Sequence, residues 1–259
     1  MDSSKAPASK RGQRAAPPQA PPTKPEPQSL GGVIGDEVRW LPRRLGGWRG
    51  LLLYFGFLGI LGYLFPRAMG LSFLDPHILL VYACSAPFFV TSAAVEAFSD
   101  ERDTAPARTM LAGRLITYSL FGWLSSAAAL TLGFISLNTR ESQGAVVLPD
   151  TRFLLGILSF GLSLSLFTVA MAAWVCLHVH VPKQAKMLLR RAFFIALVGV
   201  VLLARYGEVE WKDSFTAMLT PGSIFQVAAA AAAIFVLLTA GVLAVALRHP
   251  RYSGASHPS

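Results

Sequence analysis

The sequence predicts an all-α, polytopic membrane protein with six transmembrane helices and both termini on the cytoplasmic side. Three observations carry that reading. Of 259 residues, 53% are hydrophobic and only 14% are charged, whereas soluble domains are roughly 25% charged, so the apolar side chains must face something other than water. They gather into blocks of membrane-spanning length separated by short polar turns. The net charge of +9 is also sorted by position: eighteen of the 23 Lys and Arg fall on one side of the spans, and five (Arg67, Arg140, Arg152, Arg205 and Lys212) on the other. Such a bias places the basic side in the cytoplasm, against anionic headgroups of a cell (inner) membrane. It accounts for the basic balance without nucleic acid.

Residues 1–35 are rich in Pro and Ala with almost no large apolar side chain, which predicts a disordered cytoplasmic tail. The Pro-rich run is either solvated chain or a polyproline ligand. From 36 to 50, Trp40, Leu41, Leu45 and Trp48 alternate with Arg39, Arg43, Arg44 and Arg49. Tryptophan favours the headgroup region and arginine pairs with lipid phosphate, so this is an interfacial amphipathic segment on the inner leaflet, broken in two at Pro42.

Residues 51–248 form the six-helix domain. Span one, 51–65, ends at Pro66 and carries Gly56, Gly59 and Gly62, a smooth strip for close helix packing. Asp75-Pro76 opens span two, which runs to about Phe98 and is kinked by Pro87. Pro106 starts the helix of span three, 115–137. Asp150 caps span four, 153–181, which Pro182 ends. The turn Lys183 to Arg191 is the strongest inside marker.

Span five, 192–204, supplies about 20 Å of apolar helix against a hydrocarbon core of about 30 Å. Either it extends into 187–189 with Arg190 and Arg191 snorkelling, or the segment 206–223 dips back as re-entrant helices with Trp211, Phe215 and Met218 on an apolar side and Pro221 as a break. Span six, 224–247, precedes a short cytoplasmic tail, 249–259.

The motifs exclude more than they assign. There is no Walker-type phosphate loop, no His-Glu-x-x-His and no Gly-x-Ser-x-Gly, so any ATPase activity belongs to a partner chain. His178 and His180 stand about 200° apart on a helix with no Asp or Glu nearby, which predicts no metal site. Cys84 and Cys176 each lie within a span and read as small buried hydrophobes. No cofactor is implied and no catalytic residue stands out. Glu96 is the one ionisable residue within the spans, near a cytoplasmic end, and reads as an acid snorkelling to Arg102 or Arg114. Without titratable groups at depth, coupling to protons or sodium is disfavoured.

The polar turn between spans two and three holds Glu96, Asp100, Glu101, Arg102, Asp103 and Arg108. Its acids suit the positive end of the following helix, and it is also the natural contact for a soluble partner. With Trp40 to Arg49 before span one, Ala97-Phe-Ser-Asp-Glu-Arg102 and Pro106 to Arg114 after span two, the short span five with 206–223, and the ending Leu219 through His249, the chain resembles the permease subunits of ABC-2 type transporters over about residues 38–250. The resemblance implies a permease subunit of an ABC-type exporter, working as a homodimer or heterodimer with a separate ATP-binding cassette ATPase docked on the turn. Such permeases usually have Gly-Thr and a longer amphipathic coupling helix where this chain has only Asp103-Thr104-Ala105 before Pro106, so its docking surface is reduced or absent. The rival reading is a non-transporting membrane scaffold or accessory subunit of a larger complex; an intramembrane enzyme comes third.

Overall fold

The structure, a computed structural model, describes residues 29–100, 107–141, 148–179, 181–206 and 224–248. Every regular element among them is helical. Five stretches are long and apolar enough to cross a membrane: Gly47–Leu74, Ile78–Ser99, Arg108–Arg140, Thr151–His178 and Ala229–Arg248. The chain is thus a multi-pass membrane protein by length and composition of its helices. The predicted fifth span is not among the five.

Helix α1 is Leu30–Arg44. It begins inside the stretch expected to be a tail, because Ser29 accepts a hydrogen bond from the Gly32 amide and caps it. Pro42 lies within this helix rather than breaking it. Its missing N–H leaves only the Val38 carbonyl without a helical donor, and Val38 is on the exposed side, where water or headgroups serve it. The break falls instead at Gly46 and Gly47, with φ of +103° and +65°, angles that glycine adopts at no steric cost. Gly50 completes the elbow, since a Cβ there would run into the Leu45 carbonyl.

The first span is longer than predicted. Helix α2, Gly47–Gly59, passes through a π turn at Ile60–Leu64 into α3, Phe65–Met69, and a 3₁₀ turn at Gly70–Leu74. Pro66 was expected to end it, but the widened turn makes room for the ring. In this turn the Phe65 amide bonds to the Ile60 carbonyl, and Pro66 has no N–H to offer the Leu61 carbonyl. Tyr82 supplies that bond through its hydroxyl, and Ser136 donates to the Tyr63 carbonyl. Neighbouring helices thereby satisfy backbone that lipid cannot.

Span two is divided into α4, Pro76–Ala83, and α5, Ala86–Ser99. The interruption at Cys84 and Ser85 is the one Pro87 predicts, and Ser85 bridges it by donating to the Tyr82 carbonyl. Helix α6, Ala107–Glu141, begins directly after Pro106. Helix α7, Thr151–His178, is capped by Asp150, whose carboxylate accepts from the Arg152 amide at 2.7 Å. Helix α8, Pro182–Tyr206, is continuous, so the expected basic turn Lys183 to Arg191 is its first three turns. Helix α9 is Ile224–Arg248.

Helices α6 and α7 form the centre of the bundle: α1, α2 and α5 lie along α6, α5 and α9 lie along α7, and α8 packs chiefly on α5. Small residues permit the close approaches. A Cβ at Gly122 would collide with Ser165 of α7 and lie 3.1 Å from Val90 of α5, so this glycine sets the spacing of three helices. The core has two parts. One gathers Phe98, Leu111, Tyr118, Cys176, Leu189 and Ala246 at the end that holds α1, and the other gathers Phe73, Tyr82, Leu137 and Phe153 at the opposite end.

The predicted glycine strip divides. Gly62 packs on Ala129 and Leu132 of α6, whereas Gly56 and Gly59 have open space beside them. We therefore expect G122V to lower the unfolding free energy in detergent by about 1–3 kcal/mol, the usual effect of overpacking, and G56V to leave the monomer's thermal unfolding near that of the wild type.

Candidate functional site

At the α1 end of the bundle, Glu37 is buried between two arginines. Its position follows from the spacing of α1: Val33, Glu37, Leu41 and Arg44 recur every three or four residues and so face the bundle together. Gly113 of α6 lets the helix come close, because any side chain there would run into Val33. One turn further, Arg114 and Tyr118 meet the Glu37 carboxylate.

The geometry satisfies each group. Arg114 donates from Nε to Glu37 Oε1 at 3.0 Å, and the two side chains retain 3% and 4% exposure. Arg44 pairs with Glu37 Oε2 and donates to the Tyr118 hydroxyl at 2.8 Å, while that hydroxyl donates to Glu37 Oε2 at 2.9 Å. Arg44 also reaches Asp100 Oδ2 at 3.5 Å, and Arg114 Nη2 points to the Asp100 carbonyl at the same distance. Two carboxylates and two guanidiniums balance. Among the described residues, Glu37 and Arg114 are the only charged ones classed as buried. Removing such ions from water costs several kcal/mol apiece, which this arrangement offsets with paired charge and hydrogen bonds.

The contacts of this cluster run between separate elements. They tie three pieces of chain together: α1, the start of α6, and Asp100, the residue that opens the segment between α5 and α6.

Of the residues singled out in the sequence, Asp100 belongs to this cluster. Glu96 does not, and of its two expected partners, Arg102 and Arg114, the second is corrected. Arg114 is committed to Glu37, and Glu96 pairs instead with Lys186 of α8, which the continuous helix brings against α5. Arg108 is exposed at the start of α6. Glu101, Arg102 and Asp103 lie outside the described residues, as do Trp211, Phe215, Met218, Pro221 and His180. His178 turns back on its own helix, with Nδ1 2.9 Å from the Trp174 carbonyl. No group of residues suited to a metal occurs among the described residues. Cys84 and Cys176 are free thiols.

Sequence reasoning missed Glu37, Arg44 and Tyr118 as a unit, although a signal was present. An acid midway along the Val33, Leu41, Leu45 stripe sits on the apolar face of an amphipathic helix, and such a buried acid requires a cation.

Truncation in E37A leaves Arg114 and Arg44 facing one another without their anion. Equilibrium unfolding in detergent should show a loss of about 3 kcal/mol, against about 2 kcal/mol for Y118F, which removes only hydrogen bonds to charged partners. Equal, small effects from both would mean the cluster does not hold α1. Comparison of the chain with family models, with curated proteins and with solved structures finds no match, so the functional reading rests on its own residues.

Proposed function

We propose that this chain is the permease subunit of an ABC-type exporter, providing the transmembrane pathway and driven by a separate ATP-binding cassette ATPase. One observation carries the reading: Asp100 is gripped twice, its carboxylate by Arg44 of α1 and its carbonyl by Arg114 of α6. A soluble partner that moves the 101–106 segment therefore moves the amphipathic helix and the third span with it. Coupling needs such a connection, and packing alone would transmit it less sharply.

The charges support an external drive. With Glu37 and Arg114 neutralised at one end of the bundle, the described residues offer no buried charge at mid-depth to bind a proton or cation. In this reading six helices cross the inner membrane, α8 being the fifth, with Lys183 to Arg191 at the inner leaflet and residues 207–223 returning toward the membrane. Both termini are cytoplasmic. The permease pairs with itself or a homologous chain, and Gly56 and Gly59 on α2 leave a smooth surface open for that contact.

Gentle-detergent purification of the full chain from its native membrane tests the proposal. We expect a nucleotide-binding subunit to accompany it and the E101K/R102E/D103K variant to recover about tenfold less of that subunit, the effect of ~1.4 kcal/mol of lost contact. A stable complex without any nucleotide-binding chain would support the scaffold reading instead.

A further inference from the structure

We propose that the elbow between α1 and α2 binds anionic phospholipid headgroups of the leaflet it touches. The fold divides the arginines of this region into two groups. Arg44 is committed to Glu37, Tyr118 and Asp100. Arg39 and Arg43 are one turn apart on the opposite, outward face of α1, where they stand one above the other. The Arg39 side chain is 84% exposed. The Arg43 guanidinium lies 4.6 Å over the Trp40 ring, a contact that steadies it while leaving its N–H groups free to fork onto phosphate oxygens.

Arg49 is exposed beside Trp48, and Trp48 itself is 74% exposed. Immediately beyond them α2 presents Leu52, Leu53 and Phe55 outward. Interleaved guanidinium and indole groups come first along the chain and apolar surface follows, as the headgroup region precedes the acyl chains on the way into a bilayer. Among the described residues, Asp36 is the acid paired with this group, 3.8 Å from Arg39, which leaves two positive charges in excess there. Phosphatidylcholine carries its own cation and gains less from that excess than phosphatidylglycerol does.

The full chain, purified from vesicles of mixed phosphatidylcholine and phosphatidylglycerol, provides the test, with retained lipid counted by native mass spectrometry. The wild type should retain phosphatidylglycerol preferentially. R39Q/R43Q/R49Q should lower that preference by about fivefold per effective charge removed, whereas R39K/R43K/R49K should keep most of it. K183Q/R190Q/R191Q removes the same charge from α8 at the same end of the bundle and should stay near the wild type. Equal losses in the elbow and α8 variants would overturn the proposal, since net charge alone would then explain retention. So would displacement of the lipid by inorganic phosphate, which would indicate a free-anion site. Unchanged lipid retention with loss of a co-purifying soluble protein would make the elbow a protein contact, and the proposal would also fail.

Discussion

The position of α1 depends on one carboxylate. Glu37 can enter the bundle because Arg114 and Arg44 meet it there, and once buried it joins the flanking contacts of Val33 and Leu41 in fixing α1 against α6. An amphipathic helix of this composition lying free on a bilayer would keep its acid in water. The three-way pairing reverses that preference, and the Gly46-Gly47 elbow lets the chain turn from α1 into the first span without pulling the acid out. Breaking either ion pair would expose an uncompensated charge at the edge of an apolar core, so α1, the start of α6 and Asp100 move together or the cluster is lost.

The two ends of the bundle are built differently. At the α1 end, ion pairs join separate helices: Glu37 with Arg44 and Arg114, and Glu96 with Lys186. At the other end, aromatic packing dominates, with Phe73 edge-on to both Tyr82 and Phe134 at centroid distances of 5.2 and 5.6 Å.

Most of the spans were legible because lipid imposes a simple demand, a run of apolar residues long enough to cross. Asp150 as a cap, Pro87 as an interruption and the helix following Pro106 were legible for the same local reasons. What failed depended on neighbours. Pro66 should stop a helix, yet a π turn accommodates it once Tyr82 and Ser136 supply donors from other helices. Pro42 should break α1, yet its orphaned carbonyl lies on the exposed face. Glu96 was assigned Arg102 or Arg114, and among the described residues it pairs with Lys186, 90 residues away. Arg114 was read as a topology marker and a partner for Glu96, because nothing in its own segment announced that a distant Glu37 would need it. Gly56, Gly59 and Gly62 looked equivalent, and only the course of α6 separates them.

Disulfide trapping across the α1 and α6 contact tests the central claim most directly. A Cβ at Gly113 would stand 3.0 Å from the Val33 Cβ, close enough for a bond after slight adjustment. In membranes carrying V33C and G113C, with Cys84 and Cys176 replaced by serine, mild oxidation should link the pair readily, and adding E37A should abolish the link. Equally fast linking with and without Glu37, or none in either, would contradict the account that this carboxylate seats α1 on the bundle.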